Sequence, residues 1–135
     1  MLYEDDVVEA VRRFLATTGW SIESVALATQ HGDDLTATRA GRRLSIEAKG
    51  EGSSMSHTKR YGSSFNRGQV ASHVAVAVTR ALAVVSQGDS IAGVAFPWNE
   101  FHRDRVALIA PALARLGVVV FWVSSDLSVE VQGEL

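Results

Sequence analysis

The chain contains no cysteine. Disulfides and thiolate-bound zinc are therefore excluded, and the composition fits a reducing compartment. A long apolar run is also missing. The most hydrophobic stretch, residues 118–123, falls far short of the roughly 20 residues that a membrane-crossing helix needs. The opening residues Met1-Leu2-Tyr3-Glu4-Asp5-Asp6 are acidic, whereas a secretory signal is basic and then apolar. A soluble cytoplasmic protein with no membrane partner is the expectation.

Basic surplus is lacking as well. The formal net charge is -2, which at first argues against a nucleic-acid partner, because phosphate binding is driven by basic surface. The distribution of charge points the other way. Residues 31–67 carry a net charge of +3 and the remainder -5, so a polyanion would approach the side that holds this segment. Lysine is scarcer still: eleven of the thirteen basic residues are arginine, leaving only Lys49 and Lys59. Arginine stays charged in practice, whereas lysine is a compact charge whose pKa its surroundings can move. A lysine at position 49 therefore reads as chosen for chemistry.

What the chain does have is an ordinary globular balance, with 47% hydrophobic and 21% charged residues over 135 positions. That size suits one domain with a buried core, spanning residues 1–135. No internal repeat or linker interrupts it.

The stretch around which the chain is organised runs from Gly32 to Gly50. Leu35, Ala37, Leu44, Ile46 and Ala48 are apolar at intervals of two on either side of the turn-prone Arg39-Ala40-Gly41-Arg42. This reads as two antiparallel strands. Asp34, Thr36 and Thr38 share the opposite phase with Ser45, Glu47 and Lys49, so Glu47 and Lys49 point to one face. Asp34 joins them from the paired strand. Two acids on facing strands make a divalent-cation site, since a hard cation takes oxygen ligands and can add a strand carbonyl such as that of Ala48. The alternative is a surface hairpin bearing a Glu47/Lys49 pair and a solvated Asp34.

These residues resemble the PD-(D/E)xK phosphodiesterase superfamily, which includes type II restriction enzymes, Holliday-junction resolvases and Mrr-like nucleases. Asp34 matches the first acid of the motif, Glu47 the second and Lys49 the lysine. Asp33 stands where the motif name has proline. The resemblance covers roughly the first hundred residues. It implies a restriction-endonuclease-like α/β fold with an αβββαβ core, a mixed central sheet flanked by helices. It further implies Mg²⁺ or Mn²⁺ held by Asp34, Glu47 and the Ala48 carbonyl, with Lys49 handling the attacking water.

Elsewhere the chain reads as follows. Residues 4–16 form an amphipathic helix with Val7, Val8, Val11, Phe14 and Leu15 on one stripe. Glu4 falls inside that stripe. Either the helix dipole favours an acid in the first turn, or Glu4 faces inward to complete the metal site, as a helical glutamate does in many members of the superfamily. Glu9, on the opposite side, is the second candidate. Residues 20–29 suggest a first strand, and His31 after it is assigned no role.

Residues 51–66 are rich in Gly, Ser, His, Lys, Arg and Tyr. Such a segment is either a flexible surface loop or the rim of the site, where Lys59, Arg60 and Tyr61 would touch phosphate and stack on a base. Arg42, Arg43 and Arg67 are further candidates for nucleic-acid contact. A second helix spans about 67–87, with Gln69, His73 and Arg80 along one edge. Gln69 matches a glutamine that follows the E-x-K strand in Mrr-like enzymes and is the fourth catalytic candidate; His73 and Arg80 read as an ordinary polar flank. A buried strand over 91–96, a single third helix over 101–116, a buried strand over 118–123 and an edge strand over 128–132 complete a βαβ unit and its closure.

The function expected is a metal-dependent endonuclease acting on DNA, with a homodimer required if both strands are to be cut together. Its rivals are a catalytically inactive nucleic-acid-binding or scaffold module on the same fold, and an accessory subunit of a larger nuclease or defence complex.

Overall fold

The computed structural model describes residues 1–26, 33–52 and 63–135. Its elements run in the order α1 (Glu4–Thr17), β1 (Ser21–Val25), β2 (Leu35–Arg39), β3 (Arg42–Ala48), α2 (Arg67–Gln87), β4 (Ile91–Pro97), α3 (Glu100–Ala107), α4 (Ala110–Leu116), β5 (Val119–Val123) and β6 (Val129–Gln132). The six strands form one mixed sheet in sequential order, β1-β2-β3-β4-β5-β6. The β1/β2, β2/β3 and β5/β6 pairs are antiparallel, while β3/β4 and β4/β5 are parallel. Among the described residues this is an α/β architecture with four helices.

Strand alternation assigns the two faces. Leu44, Ile46, Ala48, Ala95, Val119, Phe121 and Val123 pack with Val7, Val8, Val11 and Leu15 of α1. Val94, Phe96, Val120 and Trp122 point the other way and pack with Val70, Val74, Ala77 and Ala81 of α2, Val106 of α3 and Leu113 of α4. The sheet advances in one direction from β3 to β5, so crossovers of one hand leave α2 and the α3–α4 pair on the same face. Glu47 of β3, and Asp34 just ahead of β2, lie toward Arg80 on that α2 face.

The hairpin that carries them is set by Arg39-Ala40-Gly41-Arg42. Ala40 (φ 52°) and Gly41 (φ 78°) are both left-handed, the requirement of a two-residue type I′ turn between twisted strands. Arg39 pairs with Arg42 and Leu35 with Ile46, so one apolar phase faces α1 as the alternation predicts.

α2 is 21 residues long and apolar enough, with a mean hydropathy of 1.4 over its best window, to match a membrane-crossing helix in length and composition. It is nevertheless the crossover between β3 and β4, and it buries Val70, Val74, Ala77 and Ala81 on the sheet. Asn66 and Gln69 cap it reciprocally, Gln69 N donating to Asn66 Oδ1 (2.9 Å) and Asn66 N to Gln69 Oε1 (2.7 Å). Gly88 (φ 79°) closes its other end.

The expected single third helix is two. α3 stops at Ala107 and α4 starts at Ala110, with Pro111 in its first turn. A proline ring clashes with the carbonyl four residues earlier and has no N–H to donate. For Pro111 that carbonyl belongs to Ala107, the last residue of α3. β1 ends at Val25, and the expected strand residues 27–29, together with His31, lie outside the described residues. So do residues 53–62, although the ends of that segment are drawn together by a Gly52/Ser64 bridge and by Phe65 N donating to Glu51 O (2.8 Å).

Candidate functional site

β2 and β3 are in a register that continues beyond Leu35↔Ile46 to set Asp34 opposite Glu47. Asp34 Oδ2 accepts a hydrogen bond from Ala48 N at 2.8 Å. Its own carbonyl accepts from Ala26 N, also at 2.8 Å. The aspartate is thereby pinned at the end of the hairpin ladder. Both acids are buried, each 6% exposed, and lie close enough to act on one another electrostatically. Burial raises the Asp34 pKa, partly offset by the Ala48 N–H, Lys49 and Arg80. Burial and then the charge of Asp34 raise that of Glu47, partly offset by Arg80 and Lys49.

Two cations reach Glu47 Oε1. Lys49 Nζ lies 3.8 Å away, from the same strand face. Arg80 Nη1 donates to it at 3.0 Å from α2. Arg80 therefore belongs to the site and is not the ordinary polar flank expected of it. The helical spacing that aligned it with Gln69 and His73 was visible in the sequence; its partner on β3 was not.

Glu4 reaches the same region from the start of α1. Gly50, two residues past the end of β3, lies against the backbone of Leu2, Tyr3 and Glu4. Leu2 N donates to Glu51 Oε1 (2.7 Å), and Glu51 N donates to Leu2 O (2.8 Å). Burial, then the negative charge of Asp34, pushes Glu4 up to about 7. Glu9 is elsewhere: it is ion-paired with Arg12 (2.6 Å) and Arg13 (3.0 Å), and the Arg12 hydrogen bond draws its pKa down to about 2.

The fit to a hard cation rests on the donor set. Asp34 and Glu47 offer buried carboxylate oxygens from neighbouring segments of the hairpin, the hard ligands that such a cation takes. Among the described residues no group of three or more acidic or histidine side chains is close enough to hold a metal ion. In this arrangement Glu4 is an electrostatic neighbour of the pair.

Other expected site residues are dispersed. The Gln69 carbonyl oxygen is committed to the α2 cap, so its side chain serves the helix. Arg42 and Arg43 open β3; four strand residues, about 13 Å, separate Arg43 from Glu47, and Arg43 pairs with Glu23 at 3.3 Å. Arg67 pairs with Asp104 (3.0 Å) and Glu100 (3.8 Å) and covers the Phe101 ring. Lys59, Arg60 and Tyr61 lie outside the described residues.

One polar network was not anticipated at all. Asn99 Nδ2 donates to Glu51 Oε2 (2.9 Å), and Asn99 Oδ1 takes both His102 N (3.0 Å) and the His102 ring at Nδ1 (2.8 Å). It joins the start of α3 to the start of α1 through Glu51. His102 is fully buried beside Phe96, and burial pulls it down to about 4. Asn99 three residues before His102 is a helix-cap spacing, but nothing local points to Glu51.

A scan against protein-family models finds no match for this chain, and a search of curated proteins finds no relative.

Proposed function

We propose that the protein is a metal-dependent phosphodiesterase that hydrolyses DNA on a restriction-endonuclease-like core of the PD-(D/E)xK kind. The observation that carries this reading is the buried Asp34–Glu47 carboxyl pair on adjacent strands, with Lys49 Nζ 3.8 Å from Glu47. Burying two acids against each other costs free energy that a merely structural hairpin has no reason to bear. The order α1-β1-β2-β3-α2-β4 supports it, because it is the αβββαβ order of that superfamily.

On this reading Asp34, Glu47 and the Ala48 carbonyl hold Mg²⁺ or Mn²⁺. When bound, the ion supplies Lewis-acid stabilisation of the charge that builds on the phosphate oxygens. Asp34 is held in place by Ala48 N, which fixes its carboxylate against the strand end. Lys49, on the same face as Glu47, orients the attacking water or, as the neutral amine, deprotonates it. Glu4 is a third acid within electrostatic reach of the pair. Arg43 and Arg67 are engaged in ion pairs with Glu23 and with Asp104 and Glu100, which DNA phosphates would have to displace.

A second reading has its own observation. Arg80 and Lys49 already give Glu47 two cationic partners, which is a self-sufficient ion network. That arrangement suits a non-catalytic nucleic-acid-binding or scaffold module, or an accessory subunit of a nuclease complex.

Calorimetric titration of Mn²⁺ and Mg²⁺ into wild type and Asp34→Asn, with and without a short DNA duplex, separates the two. Binding by wild type that is lost in the variant supports the phosphodiesterase. Failure of wild type to bind either ion even with duplex present sinks it and leaves the non-catalytic module.

A further inference from the structure

The Arg80–Glu47 pair is asymmetric in a way that helix packing does not require. The Glu47 side chain is 6% exposed and that of Arg80 58%. The guanidinium therefore reaches in from the solvent side and places one nitrogen on a carboxylate that is otherwise enclosed. Asp34 also feels the Arg80 charge, so Arg80 acts on both members of the acid pair.

Space between Glu47 and Arg80 is scarce. The hollow bordered by Asp33, Ser45, Glu47 and Arg80 has a volume of about 10 Å³, room for about one water. A cation approaching Glu47 Oε1 meets Arg80 Nη1, which already sits 3.0 Å from that oxygen. Cation and guanidinium compete for the same oxygen. A guanidinium carries five donors in a planar fork suited to carboxylate and phosphate oxygens alike. Arg80, exposed on its outer side, has only to turn outward to exchange one anion for the other.

We infer that Arg80 is the internal counter-ion of Glu47, displaced when a divalent cation binds and then transferred to a phosphate oxygen of the incoming DNA strand. The inference rests on the phosphodiesterase reading and adds to it a residue that touches substrate. Its thermodynamic consequence is reciprocal coupling. Phosphate draws Arg80 away and tightens cation binding, while the cation frees Arg80 and tightens phosphate binding. The free protein then holds its metal weakly, and the loaded site assembles on DNA.

The test compares wild type, Arg80→Ala and Arg80→Lys, each checked for folding by circular dichroism. Mn²⁺ affinity is measured by calorimetry, alone and with a short DNA duplex carrying a non-hydrolysable phosphorothioate linkage. Wild type is expected to bind Mn²⁺ more tightly with duplex than without. Arg80→Ala is expected to bind Mn²⁺ alone about tenfold more tightly than wild type, to gain little further from duplex and to bind duplex more weakly. Arg80→Lys should restore part of the coupling. Unchanged or weaker Mn²⁺ binding by Arg80→Ala, with the duplex effect intact, overturns the inference while Asp34→Asn still reports on the metal site. Absence of Mn²⁺ binding in wild type under every condition removes the phosphodiesterase reading and this inference with it.

Discussion

A Cβ placed on Gly50 would collide with the backbone nitrogen of Glu4. The residue after the E-x-K strand and the first residue of α1 are therefore in backbone contact, and the approach is open only to glycine. The contact brings the half-buried Glu4 within electrostatic reach of Asp34, Lys49 and Glu47.

Gly50→Ala follows from it. The obstacle is backbone on the α1 side, which cannot rotate out of the way as a side chain can, so α1 and β3 must separate locally. A loss of about 1–3 kcal/mol is expected, read as a lower urea midpoint with an unchanged slope. The variant should also move the Glu4 titration toward the value of a free carboxyl. An unaltered midpoint would mean that the start of α1 yields without cost.

Glu4 itself predicts a pH dependence. An unfolded glutamate titrates near 4.5 and Glu4 near 7, so folding favours its protonated form. The stability this contributes is fully present below pH 4.5 and is lost as pH rises through 7. The shift corresponds to at most about 3 kcal/mol. Glu4→Gln removes the titration, and the variant should be more stable than wild type by about 1–3 kcal/mol at about pH 8, with the difference vanishing toward about pH 4. Parallel pH profiles for the two proteins would place Glu4 in ordinary solvent.

His102 works in the opposite direction over nearly the same range. Its folded value is about 4 against 6.5 unfolded, so the protein keeps it neutral. That contribution is complete above pH 6.5 and disappears as pH falls through 4, a change of at most about 3 kcal/mol. In the unfolding free energy of wild type minus His102→Gln, the His102 contribution should decline between about pH 6.5 and pH 4. A difference that stays flat there would contradict the buried, neutral imidazole.

Much of this framework was legible in the chain because it rests on local pattern. Period-two alternation around Arg39-Ala40-Gly41-Arg42 set the hairpin register, and with it the meeting of Asp34 and Glu47. The 67–87 helix declared itself by its apolar stripe and by Gly88. The break between α3 and α4 was equally local, encoded in Pro111, and the apolar pattern on either side obscured it. Arg80, Gly50 and Glu51 carry their meaning only through partners 33, 46 and 49 residues away along the chain. Such pairings are decided by how helices settle on the sheet, and no spacing announces them. Gln69 shows the converse, a local pattern with a local partner: the cap residue three positions earlier holds its side-chain oxygen.

Lys49 offers the sharpest trial of the proposed chemistry, because the chain otherwise prefers arginine and Lys49→Arg preserves both charge and approximate reach. If Lys49 orients water and moves a proton, arginine cannot replace it, since the guanidinium does not give up its charge. Cleavage by the arginine variant should then fall by about 10²–10⁴-fold, while folding and Mn²⁺ binding persist. Lys49→Met should lose cleavage equally, yet bind Mn²⁺ at least as tightly as wild type, because it removes a cation 3.8 Å from Glu47 Oε1. Single-turnover cleavage of a plasmid by all three proteins, set beside their calorimetric Mn²⁺ affinities, checks both expectations. Full activity in Lys49→Arg would reduce Lys49 to a fixed positive charge, and full activity in both variants would assign the cleavage to some other protein.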